Sequence, residues 1–102
     1  MNIGSNSRDG HADGLQPFPL TEIEWQRVRD QLQLTKQQAK VAALVLRAAG
    51  DKKVAYELGL GLPTVRTHLH RIYEKAAVQD RAELIVRIIN VARGKKKNES
   101  SS

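Results

Sequence analysis

The sequence predicts an all-α fold, a small helical bundle of about five helices that contains a helix-turn-helix. Helix start signals recur along the chain, and apolar residues repeat with a helical period between them. No segment shows the alternation of apolar and polar residues that marks a half-buried strand. With 102 residues, the chain has room for one modest domain.

The two ends of the chain are too polar to join a core. Residues 1–16 and residues 94–102 carry few apolar side chains and no periodic ones, so both are predicted to be disordered tails. The second tail is rich in lysine and serine. Residues 17–33 are expected to form an accessory N-terminal helix, and residues 34–93 the helix-turn-helix domain.

Composition excludes several classes of protein. The chain has no cysteine, which excludes disulfide frameworks and thiolate metal sites. No apolar run follows Met1 and none reaches transmembrane length, so we expect no signal peptide, no membrane partner and a cytoplasmic location. The net charge of +6 favours a polyanionic partner, although many basic proteins never bind nucleic acid.

The first two helices are each predicted to begin with a capping box. Thr21 is followed three residues later by Glu24, and Thr35 by Gln38. In such a pair each side chain can bond the other residue's backbone N–H. The second helix is expected to end at Gly50, because glycine adopts the left-handed conformation without steric cost.

Three further helices follow at short intervals. A short helix is predicted over residues 52–58, ended by Gly59. The next begins near Pro63, whose missing N–H is harmless in a first helical turn, and continues to about residue 76. Asp80 and Glu83 form a last capping box, which opens a helix that extends to about residue 93.

The most informative stretch is residues 54–76, VAYELGLGLPTVRTHLHRIYEKA. Two short helices that cross closely need a small residue where their backbones approach, and Ala55 supplies it. They also need a left-handed turn residue, Gly59, and a branched side chain that packs back on the first helix, Val65. This spacing is typical of a helix-turn-helix, whose second helix lies in the major groove of DNA.

The second helix of this motif has an apolar face and a polar face. The polar face carries Arg66, Thr67, His70, Arg71 and Glu74. An ordinary solvated helix shows the same pattern, so the periodicity alone favours a surface without function. The preceding short helix, the glycine turn and the local positive charge favour a face that contacts base edges through arginine and threonine.

Residues 34–83 resemble, without gaps, the LuxR-type (GerE-like) helix-turn-helix domain of bacterial transcription regulators. The run TVRTHLxxIxxKxxVxxR, from Thr64 to Arg81, carries most of the resemblance. Further matches upstream are Leu34, Thr35, Val41, Leu44, Lys52, Val54 and Ala55.

This resemblance implies a four-helix domain that binds double-stranded DNA, controls transcription initiation and dimerises through its last helix. It places Arg66, Thr67 and His70, with Arg71 beside them, where family members approach bases. Contacts to phosphates are expected from the start of the Pro63 helix and from nearby polar residues. These phosphate candidates are Lys52, Lys53, Thr64 and Lys75.

The sequence departs from the family pattern at several positions. Gln38, Ala48 and Ala77 stand where the family commonly has Glu, Gly and Gly. We expect Gln38 still to complete the capping box, and Gly50 to end the helix in place of the glycine that is absent at position 48. Only 33 residues precede Leu34, so the sensor domain frequent in the family is not expected, and the chain is either a stand-alone regulator or the effector part of a longer protein.

The last helix is more apolar than one packing face requires. One explanation is a symmetric homodimer with Ile85, Ile88, Ile89 and Ala92 in its interface. The other is that the N-terminal helix folds back over the surplus apolar surface. Trp25 is expected to anchor that helix by packing, the alternative being a surface for RNA polymerase or another regulator.

The same residues bear on functions other than gene regulation. An enzyme is not expected, because every serine lies in the tails and no glycine-rich phosphate loop occurs. No cofactor or metal is expected, since His68 and His70 point in different directions on one helix. Two alternatives stay open: a sigma-factor region-four-like module that binds promoter and polymerase, and a protein-interaction adaptor that keeps the fold without binding DNA.

Overall fold

Five α-helices occupy residues 14–94, the part of the chain that the computed structural model describes. They are α1 (Glu22–Leu32), α2 (Lys36–Leu46), α3 (Asp51–Leu58), α4 (Leu62–Ala76) and α5 (Arg81–Ala92). The predicted all-α fold is confirmed, and residues 14–94 contain no strand. None of these helices has the length and hydropathy needed to cross a bilayer.

The predicted capping boxes position the starts of α1 and α2. Both reciprocal hydrogen bonds are present between Thr21 and Glu24, and both are present between Thr35 and Gln38. At α5 only half of the box forms as predicted. Asp80 accepts from the backbone N–H of Glu83, but the Glu83 carboxylate accepts from Gln79, one residue earlier than expected.

The helix ends agree with the sequence at Gly59 and disagree at Gly50. Gly59 ends α3 in the left-handed conformation, with φ of 66°. The prediction that Gly50 ends α2 is wrong, because α2 stops at Leu46 and Ala48 takes the left-handed conformation, also at φ of 66°. The chain turns this early because Ala49 is buried and its N–H donates to Leu44, which leaves Gly50 to begin α3.

The core lies where the inner faces of the helices meet. α2 contacts α3, α4 and α5, and α3 and α5 each contact α4. The largest side chains with essentially no exposed surface are Ile72, Leu84, Ile88, Val28, Val41, Val45, Val54 and Val65. Every helix contributes to this set, so the accessory helix and the helix-turn-helix share one core.

The ordered chain begins earlier than predicted. Leu15 lies within the predicted tail, residues 1–16, but its side chain is 4% exposed and belongs to the core. Gln16 is bound to the end of α2, since its N–H donates to the Arg47 carbonyl and its carbonyl accepts from Arg47 Nε. The remaining predicted tails, residues 1–13 and 95–102, lie outside the described residues.

The accessory helix α1 folds back on α5. Val28 is buried in the core, and the Arg27 guanidinium donates to the carbonyl of Ala92. Phe18 supports α1 by an edge-to-face contact with Trp25, with the ring centroids 5.2 Å apart, as expected for an anchor that packs. α1 therefore covers part of the surplus apolar surface of α5, as the second explanation of that surface predicted.

This packing corrects part of the predicted dimer interface. Ile88 and Ala92 have no exposed surface within a single chain, so they cannot contact a partner. Ile85 and Ile89 are half-buried. Val86, which was not among the predicted interface residues, is 59% exposed and is the most accessible large apolar side chain of α5.

Candidate nucleic-acid interface

The corner between α3 and α4 is built by the residues that the motif spacing singled out. Gly59 supplies the left-handed turn, and the N–H of Leu60 donates to the Ala55 carbonyl at 2.9 Å, which closes the end of α3. Val54 of α3 and Val65 of α4 are fully buried. The two helices are in contact, so the orientation of α4 relative to α3 is set by packing.

α4 separates a buried face from an exposed one. Its buried residues are Val65, Leu69, Ile72 and Ala76. The four residues predicted to face bases, Arg66, Thr67, His70 and Arg71, are all exposed. His68 is half-buried between the two faces, which agrees with the expected packing position. The helical period therefore places all four predicted residues on solvent-accessible surface.

The start of α4 is suited to an anion. Gly61 is its N-cap residue and no side chain caps the first turn, where Pro63 lies. Thr64 is exposed in this turn. Uncapped N–H groups and the helix dipole attract negative charge, so a phosphate group is stabilised at such a terminus.

The three lysines assigned to phosphates have different surroundings. Lys52 is exposed on α3. Lys53 pairs with Glu57 one turn later, at 3.1 Å, and its ammonium lies 5.3 Å from the centre of the Tyr56 ring. Lys53 is therefore held along α3 by its own neighbours.

Lys75, near the C-terminal end of α4, donates hydrogen bonds to other residues of the same chain. Its ammonium donates to the Gln33 carbonyl at 2.6 Å and to Oε1 of Gln38 at 2.7 Å. These bonds join the end of α4 to the turn between α1 and α2. The arrangement favours a structural role for Lys75 over the predicted contact with phosphate.

An acidic residue that the sequence did not single out contacts the exposed face of α4. Asp51, the first residue of α3, accepts from Arg66 Nε at 3.3 Å through Oδ2. Its Oδ1 accepts from Arg81, which also donates to the Ala49 carbonyl at 2.8 Å. No local pattern announces this contact, because Asp51 and Arg66 are 15 residues apart and lie on different helices.

A second ion pair on this face follows from ordinary helical spacing. His70 Nε2 lies 3.3 Å from Glu74, one turn further along α4, and both side chains are exposed. The contact is a salt bridge only when His70 is protonated. In residues 14–94 no three His, Asp or Glu side chains are grouped so as to hold a metal ion.

Tyr73 lies at the edge of this network. Burial raises the pKa of the Tyr73 phenol above its usual value, and the nearby Asp51 and Asp80 carboxylates act in the same direction. Arg81 opposes them, since a nearby positive charge favours the phenolate. The phenol therefore stays neutral at physiological pH, and it packs against the core beside Arg81.

Comparison with known protein families decides what this arrangement belongs to. Residues 32–88, more than half of the chain, match the family described as bacterial regulatory proteins, luxR family. The chain belongs to the luxR family. The matched residues include α2, α3 and α4 and most of α5, and they contain all the exposed residues of α4 described above.

Two similar proteins carry the names of regulators. The monoamine regulon transcriptional regulator of Klebsiella aerogenes is 35% identical over 78 residues, which cover 69% of this chain and 33% of that protein. The transcriptional regulatory protein YdfI of Bacillus subtilis (strain 168) is 30% identical over 69 residues, 65% of this chain and 32% of that protein. The chain thus spans about a third of the length of either relative. No solved structure matched significantly.

Membership in the luxR family settles the coarse function. α3 and α4 form the helix-turn-helix of a DNA-binding domain of the luxR family of bacterial regulatory proteins. In this luxR-family domain the departures from the family pattern leave the turns intact. Ala48 and Ala77 adopt the left-handed conformation at the two positions where glycine is common.

Proposed function

We propose that this domain reads DNA sequence by placing α4 in the major groove, with Arg66, Thr67, His70 and Arg71 toward the base edges. One observation carries the proposal: these side chains are exposed on the second helix of a helix-turn-helix, held after the left-handed Gly59 with its opposite face buried. A helix held in this way after a glycine corner can present one face to a groove while the rest of the domain stays outside.

Contacts to phosphates would fix the register of α4 on the duplex. Lys52, Thr64 and the uncapped first turn of α4 are the accessible groups for this role. Lys53 would join them by exchanging Glu57 for a phosphate, because an ion pair between neighbours on one surface helix stabilises the free protein only weakly.

We further propose that the domain acts as a homodimer through the outer face of α5. Val86 is the most exposed large apolar residue of that face, and Ile85 and Ile89 are half-buried to one side of it. Two-fold symmetry of the protein would then match two half-sites in the DNA, at a spacing of about one helical turn or a multiple of it.

Selection of bound sequences from a random DNA pool tests the proposal as a whole. We expect an enriched motif in two half-sites, and affinity that falls with salt at a log–log slope of about −0.9 per phosphate neutralised. A protein that binds no DNA but binds another protein without salt dependence would instead be an adaptor that has kept the fold.

Two substitutions separate base reading from phosphate contact. Arg66→Ala should weaken binding to the preferred site by about 1–3 kcal/mol and relax the sequence preference, because a bidentate contact to guanine is lost. Lys52→Ala should weaken binding to all sequences about equally. Titrations against the preferred site and a scrambled site measure both effects, and equal behaviour of the two variants would refute the base-reading role of Arg66.

A further inference from the structure

Asp51 lies between two arginines from different helices. Oδ2 accepts from Arg66 Nε on α4 at 3.3 Å, and Oδ1 accepts from Arg81 on α5. The second nitrogen of Arg81 donates to the Ala49 carbonyl at 2.8 Å, two residues before Asp51. One carboxylate therefore joins the start of α3 to both of the following helices.

The atom of Arg66 that makes this bond is informative. The hydrogen bond uses Nε, on the side of the guanidinium, and leaves out the two terminal Nη atoms. Arginine can contact both acceptors of a guanine with a pair of guanidinium nitrogens. The bond to Asp51 is thus compatible with such a contact, since it restrains a side chain that stays 64% exposed and does not use the Nη atoms.

The same carboxylate is itself restrained. Arg81 binds Oδ1 and the Ala49 carbonyl together, and the Asp51 side chain is only 30% exposed, against 64% for Arg66. An exposed arginine has many rotamers, and fixing one of them before binding reduces the entropy that is lost on binding. Asp51 is the group that can fix Arg66, because its own position is set by α5.

We propose that Asp51 is a positioning residue that orients the Arg66 guanidinium for base reading, so that the sequence discrimination of this domain depends on Asp51. This inference rests on the proposed base-reading function of α4. The competing effect of the same carboxylate is repulsion of DNA phosphates, which weakens binding to every sequence. Discrimination and overall affinity therefore respond in opposite directions when Asp51 loses its charge.

Asp51→Asn is the direct test, because asparagine keeps the shape of the side chain and removes the charge. The ratio of affinities for the selected site and for a site with the Arg66-contacted base replaced should fall about fivefold, part of the discrimination that a bidentate contact provides. Affinity for the replaced site should stay equal or rise. A ratio that is unchanged or higher overturns the positioning role and makes Asp51 a competitor of DNA for Arg66.

Glu57→Gln is the matched control on the same helix. It removes one negative charge from α3, at a side chain that is 32% exposed, against 30% for Asp51. Glu57, however, contacts Lys53 and not Arg66. It should change both affinities by the same factor and leave their ratio unaltered. In an Arg66→Ala background, Asp51→Asn should likewise leave the ratio unaltered, because the restrained group is gone.

A measurement on the free protein distinguishes failure of this inference from failure of the proposed function. The NMR signal of the Arg66 Nε–H should shift in Asp51→Asn and stay in place in Glu57→Gln. A shift together with an unchanged affinity ratio overturns the inference alone. A wild-type protein that binds no DNA overturns the proposed function and the inference with it.

Discussion

The two helices α4 and α5 share an inner face and differ in their outer faces. Each buries a stripe of apolar residues in the common core. The outer face of α4 is polar and carries arginine and histidine, whereas the outer face of α5 carries Val86 and Ala82 beside Val78. Together with Ala77, Glu83, Arg87 and Asn90, these three residues line a shallow groove of about 410 Å³.

This difference separates what folding requires from what function uses. An inner face is constrained because a missing methyl group leaves a cavity, and both helices meet that constraint with branched aliphatic side chains. An outer face contributes little to stability, so its composition is free to serve binding. Under the proposed function, the polar outer face of α4 binds DNA and the surface around Val86 binds a second copy of the chain.

The largest expected effect comes from charging the inner face of α5. Ile88→Asp should abolish folding, because it buries an unpaired carboxylate at a position with no exposed surface. Circular dichroism and thermal unfolding measure the loss, with Val86→Asp on the outer face as the matched control that stays folded. A folded Ile88→Asp protein would show that Ile88 is not part of the core and could lie in the dimer interface.

A smaller effect is expected from charging the outer faces. Val86→Asp should convert the proposed dimer to a monomer while the melting temperature changes little, because Val86 is 59% exposed in the single chain. Thr67→Asp on α4 should instead abolish DNA binding by repelling phosphates and leave the dimer intact. Analytical ultracentrifugation and DNA titration of both variants test this, and a wild type that stays monomeric at high concentration would contradict the dimer.

The smallest expected effect lies just after the helix ends. The left-handed residue that follows α3 is Gly59, whereas the left-handed residues after α2 and α4 are Ala48 and Ala77. Ala48→Gly and Ala77→Gly should each stabilise the domain by about 1 kcal/mol, since an alanine at positive φ is strained. Gly59→Ala should destabilise it by a similar amount through the backbone alone, because an added Cβ meets no atom within 4 Å. Urea unfolding measures all three, and a destabilising Ala77→Gly would show that the left-handed turn is not strained.

The helices and the two faces of α4 could be predicted from local sequence patterns. Caps such as Thr35 with Gln38, the corner at Gly59 and the stripe that begins at Val65 are patterns within a few residues, and they agree with the structure. Local hydrogen bonds and the helical period set these features, so they can be predicted from neighbouring residues in the sequence. The exposure of Arg66 and Thr67 follows from the same period.

What covers each apolar stripe, and which charges meet, depends on how the helices pack. Ile88 is buried in the core, Lys75 bonds to the turn before α2, and Asp51 lies beside Arg66. Each of these contacts involves residues that are distant in sequence. A stripe of apolar residues shows that a face is buried but not which element buries it. Likewise, the partners of a charged side chain depend on how the helices pack, and the spacing of residues along the chain does not contain that information.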